Sequence, residues 1–132
     1  MAKKNTKRTI LILDDTKPIR ILLLKKLEKE YRCLLSGDPF EGLDLFQEYM
    51  GEIDLVLLDY EMPGMNGEEF LDAIQAMQPD IAVIIVSASL NEKRIQQLLK
   101  KGVRSFVAKP VNINRLTADI KAVLNDMHES EE

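Results

Sequence analysis

The chain has 132 residues, enough for one domain with its own hydrophobic core. Its 18 basic and 22 acidic residues leave a net charge of −4, which argues against a dedicated nucleic-acid binder, since such proteins are usually basic. Hydrophobic residues make up 45% of the chain, too many for a disordered protein, and no apolar run is long enough to span a membrane.

The basic start (Lys3, Lys4, Lys7, Arg8) runs into an apolar stretch too short for a signal-peptide core. Thr9–Asp14 reads as a buried strand ending in acid. Lys17–Glu30 reads as a helix with Pro18 in its first turn. Cys33–Ser36 is a short strand, and Gly37-Asp38-Pro39 a turn that opens a helix over Phe40–Tyr49. Asp54–Asp59 is a second apolar strand ending in acid. Met62–Gly67 is a loop, by its proline and glycine content, and Glu68–Met77 a helix. The β-branched run Ile81–Val86 is a strand. Asn91 caps a helix from Glu92 to about Lys101, which Gly102 stops. Ser105–Ala108 is the last strand. Asn112 caps a final helix from Ile113 to about Asp126, and the end of the chain reads as a frayed tail.

Five strands, each followed by a helix, predict an α/β fold: a doubly wound parallel sheet of order 2-1-3-4-5 covered by helices on both faces. Ligands of such sheets sit at the carboxyl ends of the strands where the winding reverses, between strands 1 and 3. Strand 1 ends in Asp14-Asp15 and strand 3 in Asp59, so three carboxylates converge on that crevice. A pair of ionised carboxylates ~4 Å apart costs roughly 4 kcal/mol at an effective dielectric of about 20. Either some of them protonate or a cation sits among them. All-oxygen donors with no nearby histidine or cysteine select a hard ion, Mg²⁺. Strand 4 ends in Ser87-Ala88-Ser89 and strand 5 in Lys109-Pro110, which adds hydroxyl and ammonium groups suited to phosphoryl oxygens. Singly, each of these residues has an ordinary role as a cap, a turn or a solvated side chain. The combination carries the signal.

In this order and spacing the residues resemble the receiver domains of two-component response regulators. The match runs over nearly the whole chain and rests on Asp14-Asp15, Asp59 followed by Met62-Pro63-Gly64 and Gly67, Ser87-Ala88, Phe106 and Lys109-Pro110. The resemblance implies a receiver domain over residues 8–126, with 1–7 and 127–132 as flexible tails. It implies that Asp59 is the phosphoacceptor, charged by a partner histidine kinase or histidine phosphotransfer protein. Asp15, Asp59 and the backbone carbonyl of Glu61 would bind Mg²⁺, with Asp14 helping through water. Lys109 would pair with the phosphoryl oxygens and Ser87 would hydrogen-bond one of them. It further implies a switch in which Ser87 moves toward the phosphoryl group and Phe106 turns inward. The surface of helix 4, strand 5 and helix 5 then changes for a downstream protein target or an onward relay. Glu61 and Ser89 occupy positions that tune phosphoryl lifetime in this family.

On the first helix Ile19, Leu22, Leu23 and Leu27 form an apolar stripe that reads as core. Ile21 and Leu24 fall off it and mark a docking surface for the phosphodonor. Cys33, the single cysteine, reads as a small buried hydrophobe; it excludes an internal disulfide and fits a reducing cytoplasm. His128 reads as a tail residue without a role. With only about six residues after the last helix there is no output domain, so the expectation is a stand-alone cytoplasmic receiver. It would be a monomer or a weak, activation-dependent dimer, without direct nucleic-acid or membrane contact and not a turnover enzyme.

Other readings fit less well. A haloacid-dehalogenase-like phosphatase places a second aspartate two residues after its nucleophile, where this chain has Glu61. A flavin-phosphate module uses a neutral anion nest, unlike Asp14-Asp15. A receiver-like interaction module that is not phosphorylated has no need of the complete acid, hydroxyl and lysine set.

Overall fold

Among the described residues, ten elements alternate strictly between strand and helix: β1 (Arg8–Leu13), α1 (Lys17–Leu27), β2 (Tyr31–Ser36), α2 (Pro39–Glu48), β3 (Leu55–Asp59), α3 (Gly67–Met77), β4 (Ala82–Ser87), α4 (Glu92–Lys100), β5 (Ser105–Ala108) and α5 (Ile113–Glu131). The computed structural model describes residues 7–131, with side chains through Met127. The strands pair in parallel in the expected order β2-β1-β3-β4-β5.

Alternate residues of the central strands face opposite sides, as the period of two requires. Leu11, Leu13, Val56, Leu58, Val83 and Ile85 pack with Phe46 of α2, Phe70 and Ile74 of α3, and Leu98 of α4. Ile10, Ile12, Leu55, Leu57 and Ile84 pack with Leu23 and Leu27 of α1, and with Leu116 and Ile120 of α5. Two helical layers thus cover an apolar sheet, α1 and α5 on one face and α2, α3 and α4 on the other. This explains why the strands read as unbroken apolar runs.

Several helices begin where side chains satisfy their free N–H groups. Asp38 accepts from the Phe40 N–H at 2.8 Å, Asn91 from Arg94 at 2.8 Å and Asn112 from Arg115 at 2.9 Å. Asn66 and Glu69 form a capping box at α3. Gly102, with φ of +100°, ends α4 in the left-handed region.

Three boundaries differ from the sequence reading by more than one residue. α1 stops at Leu27, not Glu30; the chain turns there, and Tyr31 starts β2 two residues earlier than expected, opposite Arg8 of β1. The sheet register takes those residues because Leu27 is the last buried residue of the α1 stripe. At the other end α5 continues to Glu131, so residues 127–131, expected as tail, are helical. Residues 1–6, which include Lys3 and Lys4, and residue 132 lie outside the described residues, as do the side chains of His128, Glu129 and Glu131.

Candidate functional site

The carboxyl ends of β1, β3, β4 and β5 form one edge. β1 and β3 are adjacent, with Leu13 opposite Leu58, so the acids that follow are neighbours. Asp14, Asp15 and Asp59 each offer a carboxylate oxygen within 4.8 Å of the others. Asp59 and Asp14 are buried, at 2% and 7% exposure, whereas Asp15 faces solvent. The Asp14 carboxyl is pushed above its usual range by burial and by the charges of Asp59 and Asp15. The Thr16 N–H, 2.8 Å from its Oδ1, and Lys109 offset this only partly. Arg20 donates to the Asp14 backbone carbonyl at 2.7 Å and so holds the start of α1 against this edge.

Lys109 reaches across from the end of β5. Its Nζ lies 2.8 Å from Asp59 Oδ1 and 3.2 Å from Glu61 Oε1. Burial alone would lower the lysine, but the hydrogen bonds and charges of Asp59 and Glu61 outweigh it and raise it, so it stays an ammonium. The Lys109–Pro110 peptide is cis. Three clustered carboxylates and one ammonium leave the pocket negative, and the donors are all hard oxygens. The residues present fit a divalent hard cation.

Glu61 folds back over the end of β4. Its carboxylate accepts from the Ser87 hydroxyl, from the Ala88 N–H at 3.2 Å and from the Ser89 hydroxyl at 3.1 Å. Burial pushes the Glu61 carboxyl up, but the hydrogen bonds from Ser87, Ala88, Lys109 and Ser89 win and hold it below the usual range. The Ala88 N–H is a donor that sequence reading missed, because a backbone group leaves no signature in residue type.

Phe106 is half-buried and packs at the rim of the core beside a cavity of about 250 Å³, also lined by Ser87, Leu90, Ile95 and Ala108. Ser87 and Phe106, remote in sequence, thus share one space. On α1, Ile21 is exposed as expected, at 42%. Leu22, expected in the core, is 40% exposed, and Leu24, expected outside, is half-buried. The buried residues are Leu23 and Leu27, one helical repeat apart, and Leu22 lies about 100° around the helix from Leu23. Leu22 lines a groove of about 260 Å³ with Ile19, Pro110, Val111 and Ile113, beside Asp14 and Lys109. Cys33 is half-buried, not fully buried.

Residues 10–121 match the family model of the response regulator receiver domain. The chain belongs to the response regulator receiver family. The receiver is 35% identical over 116 residues to sporulation initiation phosphotransferase F of Bacillus subtilis, covering 87% of this chain and 92% of that protein. It is 32% identical over 127 residues to the cyclic di-GMP phosphodiesterase response regulator RpfG of Xanthomonas campestris; the match covers 92% of this chain but 33% of that longer protein. Among solved structures it resembles a CheY-like receiver from Methanospirillum hungatei, with a TM-score of 0.86, 26% identity and coverage of 95% of this chain and 99% of that one. It also resembles a chain of the CheX-CheY-BeF3-Mg complex from Borrelia burgdorferi, with a TM-score of 0.84, 25% identity and 91% of each chain covered. The receiver is therefore a phosphoacceptor domain of two-component and phosphorelay signalling, and the phosphatase reading is set aside. Among the described residues no helix is long and apolar enough to cross a membrane.

Proposed function

We infer that this receiver accepts a phosphoryl group on Asp59 from a phosphohistidine of a histidine kinase or histidine phosphotransfer protein in the cytoplasm. The observation that carries this reading is the buried Asp59 carboxylate with Lys109 Nζ at 2.8 Å and two further carboxylates beside it. An Asp59 oxygen attacks phosphorus, the P–N bond of the donor breaks, and its electron pair leaves with the imidazole nitrogen. The product is an aspartyl phosphate. Lys109, held as an ammonium, pairs with a phosphoryl oxygen, and the Ser87 hydroxyl and Ala88 N–H donate to others. Asp14, Asp15, Asp59 and the Glu61 backbone carbonyl are the groups that would hold Mg²⁺. When bound, Mg²⁺ offsets charge on the reacting oxygens.

The switch reading rests on the cavity that Ser87 and Phe106 share. Drawing Ser87 toward the phosphoryl group opens space into which Phe106 turns, and the α4–β5–α5 face is then repacked for a target or relay partner. Exposed Ile21 and Leu22, beside the groove that leads to Asp14 and Lys109, support phosphodonor docking on α1.

The test is intact-mass spectrometry after incubation with a small phosphodonor, with and without Mg²⁺. A single phosphoryl adduct that requires Mg²⁺ and is lost in Asp59→Asn supports the reading. No adduct from either a small donor or a phosphorylated histidine phosphotransfer protein would overturn it in favour of an interaction module that is not phosphorylated.

A further inference from the structure

The Glu61 carboxylate collects the donors that an acyl phosphate on Asp59 needs. Ser87 Oγ, the Ala88 N–H at 3.2 Å and Lys109 Nζ at 3.2 Å all point to it, and Ser89 Oγ adds another hydrogen bond at 3.1 Å. Glu61 is two residues beyond the phosphoacceptor, and its own N–H donates to Asp59 Oδ1 at 3.0 Å. The loop thus ties the Glu61 backbone to the nucleophile while the side chain reaches over to β4 and β5. A planar carboxylate presents two anionic oxygens and a tetrahedral phosphoryl group three, and both satisfy the same hydroxyl, amide and ammonium donors.

We propose that the Glu61 carboxylate is an internal occupant of the phosphoryl subsite, which an incoming phosphoryl group must displace. This deepens the reading of Asp59 as phosphoacceptor and rests on it. Glu61 is a positioning residue: it keeps Ser87, Ala88 and Lys109 arranged around an anion before phosphorylation, at the cost of competing with the phosphodonor for them. Its side chain is one-third exposed, so it can swing into water without moving the core. The displacement makes and breaks hydrogen bonds only. No proton or covalent bond is exchanged with Glu61.

Two measurements test the proposal. In metal-free protein, amide hydrogen exchange at Ala88, an exposed residue, should be slowed by its bond to Glu61. Glu61→Ala should remove that protection, while Glu61→Gln should keep part of it through its amide oxygen. With Mg²⁺ present, the rate of adduct formation from a small phosphodonor should rise roughly tenfold in Glu61→Ala, because charge-assisted hydrogen bonds no longer have to be broken. Glu61→Gln should show a smaller rise. Unchanged Ala88 exchange in Glu61→Ala, or a rate equal to or below wild type in both variants, would overturn the proposal while the wild-type adduct on Asp59 still stood. Absence of any adduct in wild type and variants alike would instead strike the phosphoacceptor reading, and with it this one.

Discussion

Lys109 Nζ lies 2.8 Å from Asp59 Oδ1, although strand β4 separates the strands that carry them. The lysine side chain spans the end of β4 to reach a carboxylate that is only 2% exposed. Without the lysine, that carboxylate keeps its hydrogen bond from the Glu61 N–H but loses its ammonium partner.

Lys109→Met, measured by urea denaturation in EDTA, should therefore cost about 1–3 kcal/mol, the range for stranding a buried hydrogen-bonding group. It falls below the ~3–5 kcal/mol of a fully buried broken pair because solvent reaches the lysine. Adding Asp59→Asn should restore part of the loss, and the double-mutant cycle reads the coupling directly. Additive losses would show that the pair carries no net interaction.

Mg²⁺ should stabilise the folded protein, because among the described residues three clustered carboxylates outnumber their one ammonium partner, Lys109. At ~100 times its dissociation constant a ligand specific to the folded state adds about 2.7 kcal/mol. Thermal unfolding should show the midpoint rising with MgCl₂ and returning with EDTA. Asp15→Asn should abolish most of that rise, and in EDTA should be slightly more stable than wild type because one repelling charge is gone.

Gly42 lies within α2, where alanine is intrinsically better by about 1 kcal/mol. A Cβ there would sit 2.2 Å from Leu13 Cδ2 and 3.3 Å from Phe70. Leu13 is buried at 1% exposure and has little room to retreat. Overpacking of this kind costs ~1–3 kcal/mol, so Gly42→Ala should lower the urea midpoint, with a net loss of about 1 kcal/mol. A stabilised variant would mean that Leu13 has an alternative rotamer within the core.

Burial pushes the Cys33 thiol above its usual range, Glu28 adds to this, and Lys7 offsets it only in part. The unfolded chain then loses its thiol proton first, at about pH 8.5. The contribution is complete below that pH and is lost as pH rises through the higher folded value. Chemical denaturation from pH 7 to pH 10 should show wild type losing stability relative to Cys33→Ala. A constant difference would place the folded and unfolded thiols at the same pKa.

The order of the elements and the site acids were legible in the sequence because local rules govern them. Apolar runs the length of a strand, with helices between, admit few windings, and Asp14, Asp15, Asp59, Ser87 and Lys109 all stand at or just beyond strand ends. Helix caps at Asn91 and Asn112, and the turn at Asp38 that opens α2, read correctly for the same reason: each is a contact over two or three residues.

What only the tertiary structure decided involves surfaces whose neighbours are distant along the chain. Leu22 rather than Leu24 is the more exposed because Leu23 and Leu27 are the residues of α1 that pack on the sheet and α5, and periodicity alone does not fix which side of the stripe is covered. The contact of Glu61 with Ser87, across 26 residues, depends on a side chain reaching from one strand end to the next. Residue types along the sequence determined which chemistry this edge of the sheet can hold. Packing of the strands determined which groups touch, because hydrogen bonds and close contacts act over a few ångströms, and only the folded sheet brings these residues within that range.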